Sequence, residues 1–226
     1  MGMGGVKIFI RNNDAKDVVG MGTHCLQFPS GHTLLLHAVL YTPRMRRSLL
    51  PETLVDLLDV IGRRSSLPIV LCCSSRDELD AVCATVSNLS YISSTCMYSD
   101  LAESERASIL DNFRQVAAQW NKRSDDLPSD QSESGCEQKR SYMMVVTDAC
   151  LPMIGVGEAP IPARVLINYE LPTKKEAYLR RISSCLSADG IVINMVVGGE
   201  VITLKSIEES CGIVTEEMPI HISEIL

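Results

Sequence analysis

Short continuous apolar runs alternate along this chain with longer stretches in which apolar residues return every three or four positions. Runs of the first kind predict strands at Thr33 to Tyr41, Ile69 to Cys73 (a buried one), Tyr142 to Thr147, Val165 to Asn168 and Ile191 to Val197, and Ile92 to Met97 reads as a further strand. Leu54, Val55, Leu57, Leu58 and Ile61 make the stripe of a helix that Pro51 opens, where its missing N–H costs nothing. Further helices are predicted from Asp77 to Leu89, from Glu103 to Trp120, from Lys174 to Ile182 and from Val201 to Cys211, the last closed by Gly212. Strands interleaved with amphipathic helices imply a parallel sheet with right-handed crossovers and both faces covered.

Two stretches break the alternation. Residues 1–31 show no sustained period and end in Phe28-Pro29-Ser30-Gly31, so they read as a loosely ordered N-terminal extension to a domain spanning 32–226. Residues 121–140 are polar and mixed in charge, too poor in apolar surface to order themselves, and read as a disordered insertion in that domain. Ser124, Ser129, Ser132 and Ser134 leave two readings of it, a phosphorylation or docking segment and a tolerated surface insertion.

Composition narrows the class. Of the 226 residues 46% are hydrophobic and only 4% aromatic, so Leu, Ile, Val and Ala must fill the core. The nine cysteines show no C-x-x-C and no paired spacing, which favours reduced thiols in an intracellular protein of the cytoplasm or nucleus. No apolar run is long enough to span a membrane, and no basic segment leads into a hydrophobic one as a secretory signal would. His24, His32, His37 and His221 are too scattered for a metal site. The net charge of −7 opposes unspecific phosphate binding, although residues 1–66 carry eight basic and five acidic side chains. Arg44, Arg46 and Arg47 in that part read as a solvated connector.

Several segments, taken in order, resemble the second, C-terminal RecA-like domain of DEAD-box RNA helicases. Tyr142 to Val146 with Thr147-Asp148 stands where that family writes T-D-x-x-x-R-G-x-D. Arg164 to Pro172 is similar to V-I-N-Y-D-L-P, and Tyr178 to Ala188 to Y-x-H-R-x-G-R-x-G-R. Upstream, Leu67 to Arg76 resembles the motif IV strand and turn, where a hydroxyl and a basic residue sit beside the RNA backbone. Tyr98 to Arg106, followed by Ile109 to Arg114, resembles H-G-D-x-x-Q-x-x-R and the F-R helix end. The resemblance covers about residues 32 to 220 and implies an α/β, three-layer, parallel-sheet RecA-like fold of the P-loop NTPase type.

The departures fall on the positions that touch nucleotide in the family. Pro152-Met153-Ile154-Gly155 replaces Arg-Gly-x-Asp. Arg181 is kept, but the family histidine is Arg180, two arginines are Ser184 and Ser187, and two glycines are Ser183 and Leu186. Such guanidinium groups stabilise charge on a transferred phosphoryl group, an effect of about three to five orders of magnitude in rate. Serine carries no charge to do so. Neither G-x-x-x-x-G-K-[ST] nor D-E-A-D occurs in these residues, and the Gly-rich Gly2-Met3-Gly4-Gly5 is no phosphate loop. The expectation is a degenerate domain without the family's N-terminal RecA-like partner, with no catalytic residue, no metal, no cofactor and no productive ATP binding.

The resemblance implies a protein partner, weak RNA binding at most, and Ser74, Arg76, Arg106, Thr147 and Asp148 as the RNA-facing positions. Pro152, Gly155, Arg180, Arg181, Ser184 and Ser187 are its degenerate positions. Local chemistry leaves other readings beside these. Thr147 and Asp148 also suit a helix-capping pair, Arg76 and Arg106 ordinary surface arginines, and Arg180 and Arg181 a solvated helix face. The expected function is a catalytically inactive helicase-like adaptor or regulator in RNA metabolism. The alternative is the C-terminal half of an ATP-dependent RNA helicase completed in trans.

Overall fold

The computed structural model describes residues 6–9, 23–27, 33–37, 50–63, 66–125, 140–213 and 215, with only the backbone described for 6–9, 23–27, 33–37, 123–125 and 198. Eight strands occur among them: β1 Val6–Phe9, β2 Thr23–Gln27, β3 Thr33–His37, β4 Pro68–Cys73, β5 Ile92–Met97, β6 Ser141–Thr147, β7 Ala163–Asn168 and β8 Leu186–Asn194. The helices are α1 Leu50–Ile61, α2 Arg76–Val86, α3 Glu103–Asp125, α4 Lys175–Cys185 and α5 Val201–Cys211. Strands β8, β7, β4, β6 and β5 lie side by side, all parallel. Beyond β8 the sheet continues through β1 and β3, both parallel, to an antiparallel β2.

The continuous apolar runs are central strands because both of their faces are covered. Every residue of β4 is buried, and alternate residues serve opposite cores. Val70, Cys72, Met144, Val146, Leu166 and Val192 meet Leu110 and Phe113 of α3, Tyr178 and Ile182 of α4, and Leu204 and Ile207 of α5. On the other face Ile69, Leu71, Met143, Val145, Val165 and Ile167 meet Leu54, Leu57, Leu58 and Ile61 of α1 and Leu79, Val82 and Val86 of α2. The result is three layers. At the edge of the five parallel strands, β5 buries only Ile92 and Met97 and carries Ser93, Ser94 and Thr95 between them. Ser75 caps α2 by accepting from Glu78 N at 3.3 Å, and Gly212 ends α5 in the left-handed region at φ 62°.

Four expectations change. The stretch 1–31, read as an extension, supplies β1 and β2. Helix α3 runs to Asp125, past the expected break at Asn121, and the rest of the predicted insertion, 126–139, lies outside the described residues together with Ser129, Ser132 and Ser134. His32, His221 and Arg44, Arg46 and Arg47 lie outside them too. Helix α4 passes straight into β8 at Leu186, and Ser187-Ala188-Asp189-Gly190 form an irregularity within that strand, between Leu186 opposite Ala163 and Ile191 opposite Val165. The thiols are not all reduced: Cys83 of α2 and Cys96 of β5 form a disulfide, while Cys72, Cys73, Cys150, Cys185 and Cys211 are free and buried.

Candidate nucleic-acid interface

Five parallel strands deliver their C-terminal ends to one edge, where open α/β sheets bind ligands. Ser74 and Arg76 follow β4, Tyr98 to Asp100 follow β5, and Thr147 and Asp148 follow β6. Ser74 is exposed, and its neighbour Ser75 takes the capping role. The Arg76 guanidinium is exposed, 2.9 Å from Asp100 Oδ2 and stacked over the Tyr98 ring, whose hydroxyl donates to Asp80 at 2.6 Å. The hydrogen bond from Arg76 holds the Asp100 carboxyl below its ordinary value, and the arginine is raised in return.

Arg106 lies in the first turns of α3. Its Nη2 donates to Glu158 Oε2 at 2.9 Å, and its Nη1 lies 3.5 Å from Glu103 Oε1. Glu158 belongs to the crossover from β6 to β7, which descends between α3 and α4 without an α-helix of its own. Arg114 of α3 donates to Ala159 O at 2.8 Å, Ser184 of α4 to Pro152 O at 3.2 Å, and Ile161 N to Ser184 O at 2.7 Å. Met153, Ile154 and Val156 on this segment are exposed, and Gly155 stands in open space.

Arg181 overturns the solvated-face reading. Its side chain is fully buried, because Tyr178, Arg181, Ile182 and Cys185 share the inward stripe of α4. Nε and Nη2 grip Asp148 Oδ1 and Oδ2 at 2.7 and 2.8 Å, and Nη1 donates to Asn168 Oδ1 at 3.0 Å and Glu170 O at 2.8 Å. The chain of bonds continues from Asn168 Nδ2 to Asn194 Oδ1 at 2.7 Å and from Asn194 Nδ2 to the Tyr178 hydroxyl at 3.0 Å. Burial is the largest influence and works against the guanidinium charge, but the hydrogen bonds to Asp148 together with the nearby Cys72, Asp148 and Cys73 outweigh it and the pKa rises. Burial drives the Tyr178 hydroxyl and the Cys73 and Cys185 thiols up.

The capping reading of Thr147 and Asp148 also fails. Thr147 makes no side-chain cap bond but lies 3.4 Å from Cys150 Sγ, and Asp148 is committed to Arg181. Arg180 is exposed and reaches Leu151 O at 3.2 Å. Ser187 donates to Ala163 O at 3.0 Å and to Asp189 at 3.2 Å. No motif in the sequence marks Glu158, whereas the i, i+3, i+4, i+7 spacing around Arg181 is a usable signal. Among the described residues no three His, Cys, Asp or Glu side chains gather as metal ligands, and no helix is long and apolar enough to cross a membrane.

Five parallel strands in this order, helix-covered on both faces, define a RecA-like domain of the helicase C-terminal type. The chain is related in sequence to the DEAD-box ATP-dependent RNA helicases. It is 26% identical over 177 residues to the ATP-dependent RNA helicase fal1 of Schizosaccharomyces pombe, a match covering 77% of this chain and 37% of that protein. The chain thus spans little more than a third of that relative. No protein-family model matches. Among solved structures it is similar to S. cerevisiae Dbp5 bound to RNA and ADP BeF3, with TM-score 0.58 and 14% identity over 99% of this chain and 44% of that one. It is also similar to E. coli SrmB bound to regulator of ribonuclease activity A, with TM-score 0.51 and 13% identity over 80% of this chain and 89% of that one.

Proposed function

We propose that this chain is a helicase-like module of RNA metabolism that works inside the cell by binding, as a protein-interaction or weak RNA-binding adaptor, and that turns over no ATP through its own residues. The observation that carries this reading is the fate of the C-terminal motif. Its retained arginine, Arg181, is spent inside the domain on Asp148, Asn168 and Glu170, and its two serines donate to backbone carbonyls of their own chain. A guanidinium buried in this way cannot approach a transferred phosphoryl group. Arg76 and Arg106 remain near the strand ends, each facing a carboxylate, which supports weak rather than tight binding to RNA phosphates. The solved complexes of Dbp5 with RNA and of SrmB with a protein regulator support both kinds of partner.

Phosphate release by the purified chain, with and without RNA, tests the catalytic half of the reading and should equal a tag-only control. The same assay with a separately expressed N-terminal half of the fal1 relative tests completion in trans. ATP turnover that appears in either mixture and is lost on mutating this chain would replace the adaptor by the helicase half. RNA binding should be insensitive to ATP and fall steeply with salt, the slope dropping by about one for each phosphate contact removed. Binding that survives Arg76→Ala together with Arg106→Ala would place RNA on another surface.

A further inference from the structure

We propose that Glu158 is an internal counter-anion that closes Arg106, so that an RNA phosphate must displace a carboxylate before this arginine can bind it. The proposal rests on the RNA arm of the reading above and adds what controls that surface. The loop is built around this side chain. A short 3-10 turn, Ile154–Val156, ends on Gly157 at φ 91°, a left-handed conformation that side chains rarely adopt. The reversal returns Glu158 to the start of its own loop, where its N–H donates to Met153 O at 3.4 Å and Met153 N donates to its Oε2 at 3.0 Å. That same Oε2 receives Arg106 at 2.9 Å.

The residues on either side hold the arrangement in place. Arg114, two turns further along α3, donates to Ala159 O, so the segment is pinned to the helix at two heights. Glu158 is therefore positioned by backbone on both sides, which lowers the ordering entropy that an ordinary surface ion pair must overcome. Glu103 adds a second carboxylate to Arg106, whose side chain is only 19% exposed. Arg76 differs. Its pair with Asp100 is 59% and 62% exposed and stands free of any such loop, so phosphate competes for it on equal terms. One arginine of the surface is open and the other is shut.

Fluorescence anisotropy of the full chain with single-stranded oligouridine RNA tests this. Glu158→Gln keeps an oxygen for Met153 N while removing the charge. It should tighten binding roughly three- to tenfold at low salt, with the salt slope steeper by about 0.7 for one added phosphate contact. Arg106→Ala alone should change wild-type affinity less than about twofold, and in combination it should cancel the Glu158→Gln gain. Gly157→Ala strains the reversal without touching either charge and should move affinity in the same direction as Glu158→Gln. This gives a second route if Glu158→Gln lowers the melting temperature. Equal binding by wild type and both loop variants overturns the proposal. So does an Arg106→Ala loss as large as that of Arg76→Ala, which leaves the RNA reading standing. If neither Arg76→Ala nor Glu158→Gln changes binding, the placing of RNA on this surface falls as well.

Discussion

Replacing Asp148 should cost this domain more than its exposure suggests. Its side chain is 37% exposed, and a surface aspartate in an ion pair contributes about 0 to 1 kcal/mol. Its partner decides otherwise. Arg181 is fully buried and cannot shed its proton, so Asp148→Asn strands a guanidinium charge in the interior, at about 3–5 kcal/mol. Arg181→Met is expected to cost somewhat less, about 2–4 kcal/mol. It leaves Asn168 Oδ1 and Glu170 O without their donor at about 1–3 kcal/mol each, while water takes over the freed Asp148 carboxylate and the methionine refills the stem. The double variant should cost clearly less than the sum, because each replacement removes the reason for the other's penalty. Urea unfolding of the four proteins, with the slope m checked for constancy, measures all three quantities. An Asp148→Asn cost below about 1 kcal/mol, or strict additivity, would refute the argument.

Three other outcomes are expected. Arg106 holds the Glu158 carboxyl below its ordinary 4.5, so the stability advantage of wild type over Glu158→Gln is whole above that pH. It should fade as pH falls through the lowered value, as urea midpoints from pH 7 to 3 would record. Under native conditions an alkylating reagent should leave Cys72, Cys73, Cys150 and Cys185 unlabelled, and label Cys83 and Cys96 only after reduction, as peptide mass spectrometry will read out. Tyr91, pushed up to about 12 by burial and by its bond to Asp59, should ionise well after free tyrosine in an absorbance titration. Stability should accordingly decline above pH 10, where the unfolded chain gives up that proton first.

Much of this architecture was readable in the chain, for reasons that also explain the gaps. The predicted limits of β5 and α5 coincide with the observed ones, because Ile92 and Met97 bound the first and the glycine at 212 closes the second. Strand β8 was expected five residues late, since Ser187 to Gly190 look like a turn; they form an irregularity inside the strand, between Leu186 opposite Ala163 and Ile191 opposite Val165. The site was less legible. Arg181 was placed in solvent because arginine is rarely buried, although its position on the α4 stripe said otherwise. The Arg106–Glu158 contact joins residues 52 apart in sequence, and the Cys83–Cys96 bond, though it spans only 13 residues, depends on how α2 packs against β5, which no local spacing encodes.

The order of the strands also governs how this chain can be made. Among the described residues, strand β4 pairs with β6 and β7, while β5 pairs only with β6. A nascent chain that has emerged only as far as Asp125 therefore holds two of the five central parallel strands, β4 and β5, which never touch in the finished sheet. Helices α1 and α2 must wait with it, since Met143, Val145, Val165 and Ile167 supply much of the wall they pack on. Until Ser141–Thr147 leaves the ribosome and bridges the two waiting strands, the apolar faces of the first half are only partly covered, a condition in which chaperones bind nascent chains. Among the described residues eight β-strands are present, but the seven residues of β6 decide when the five central parallel ones can begin to assemble.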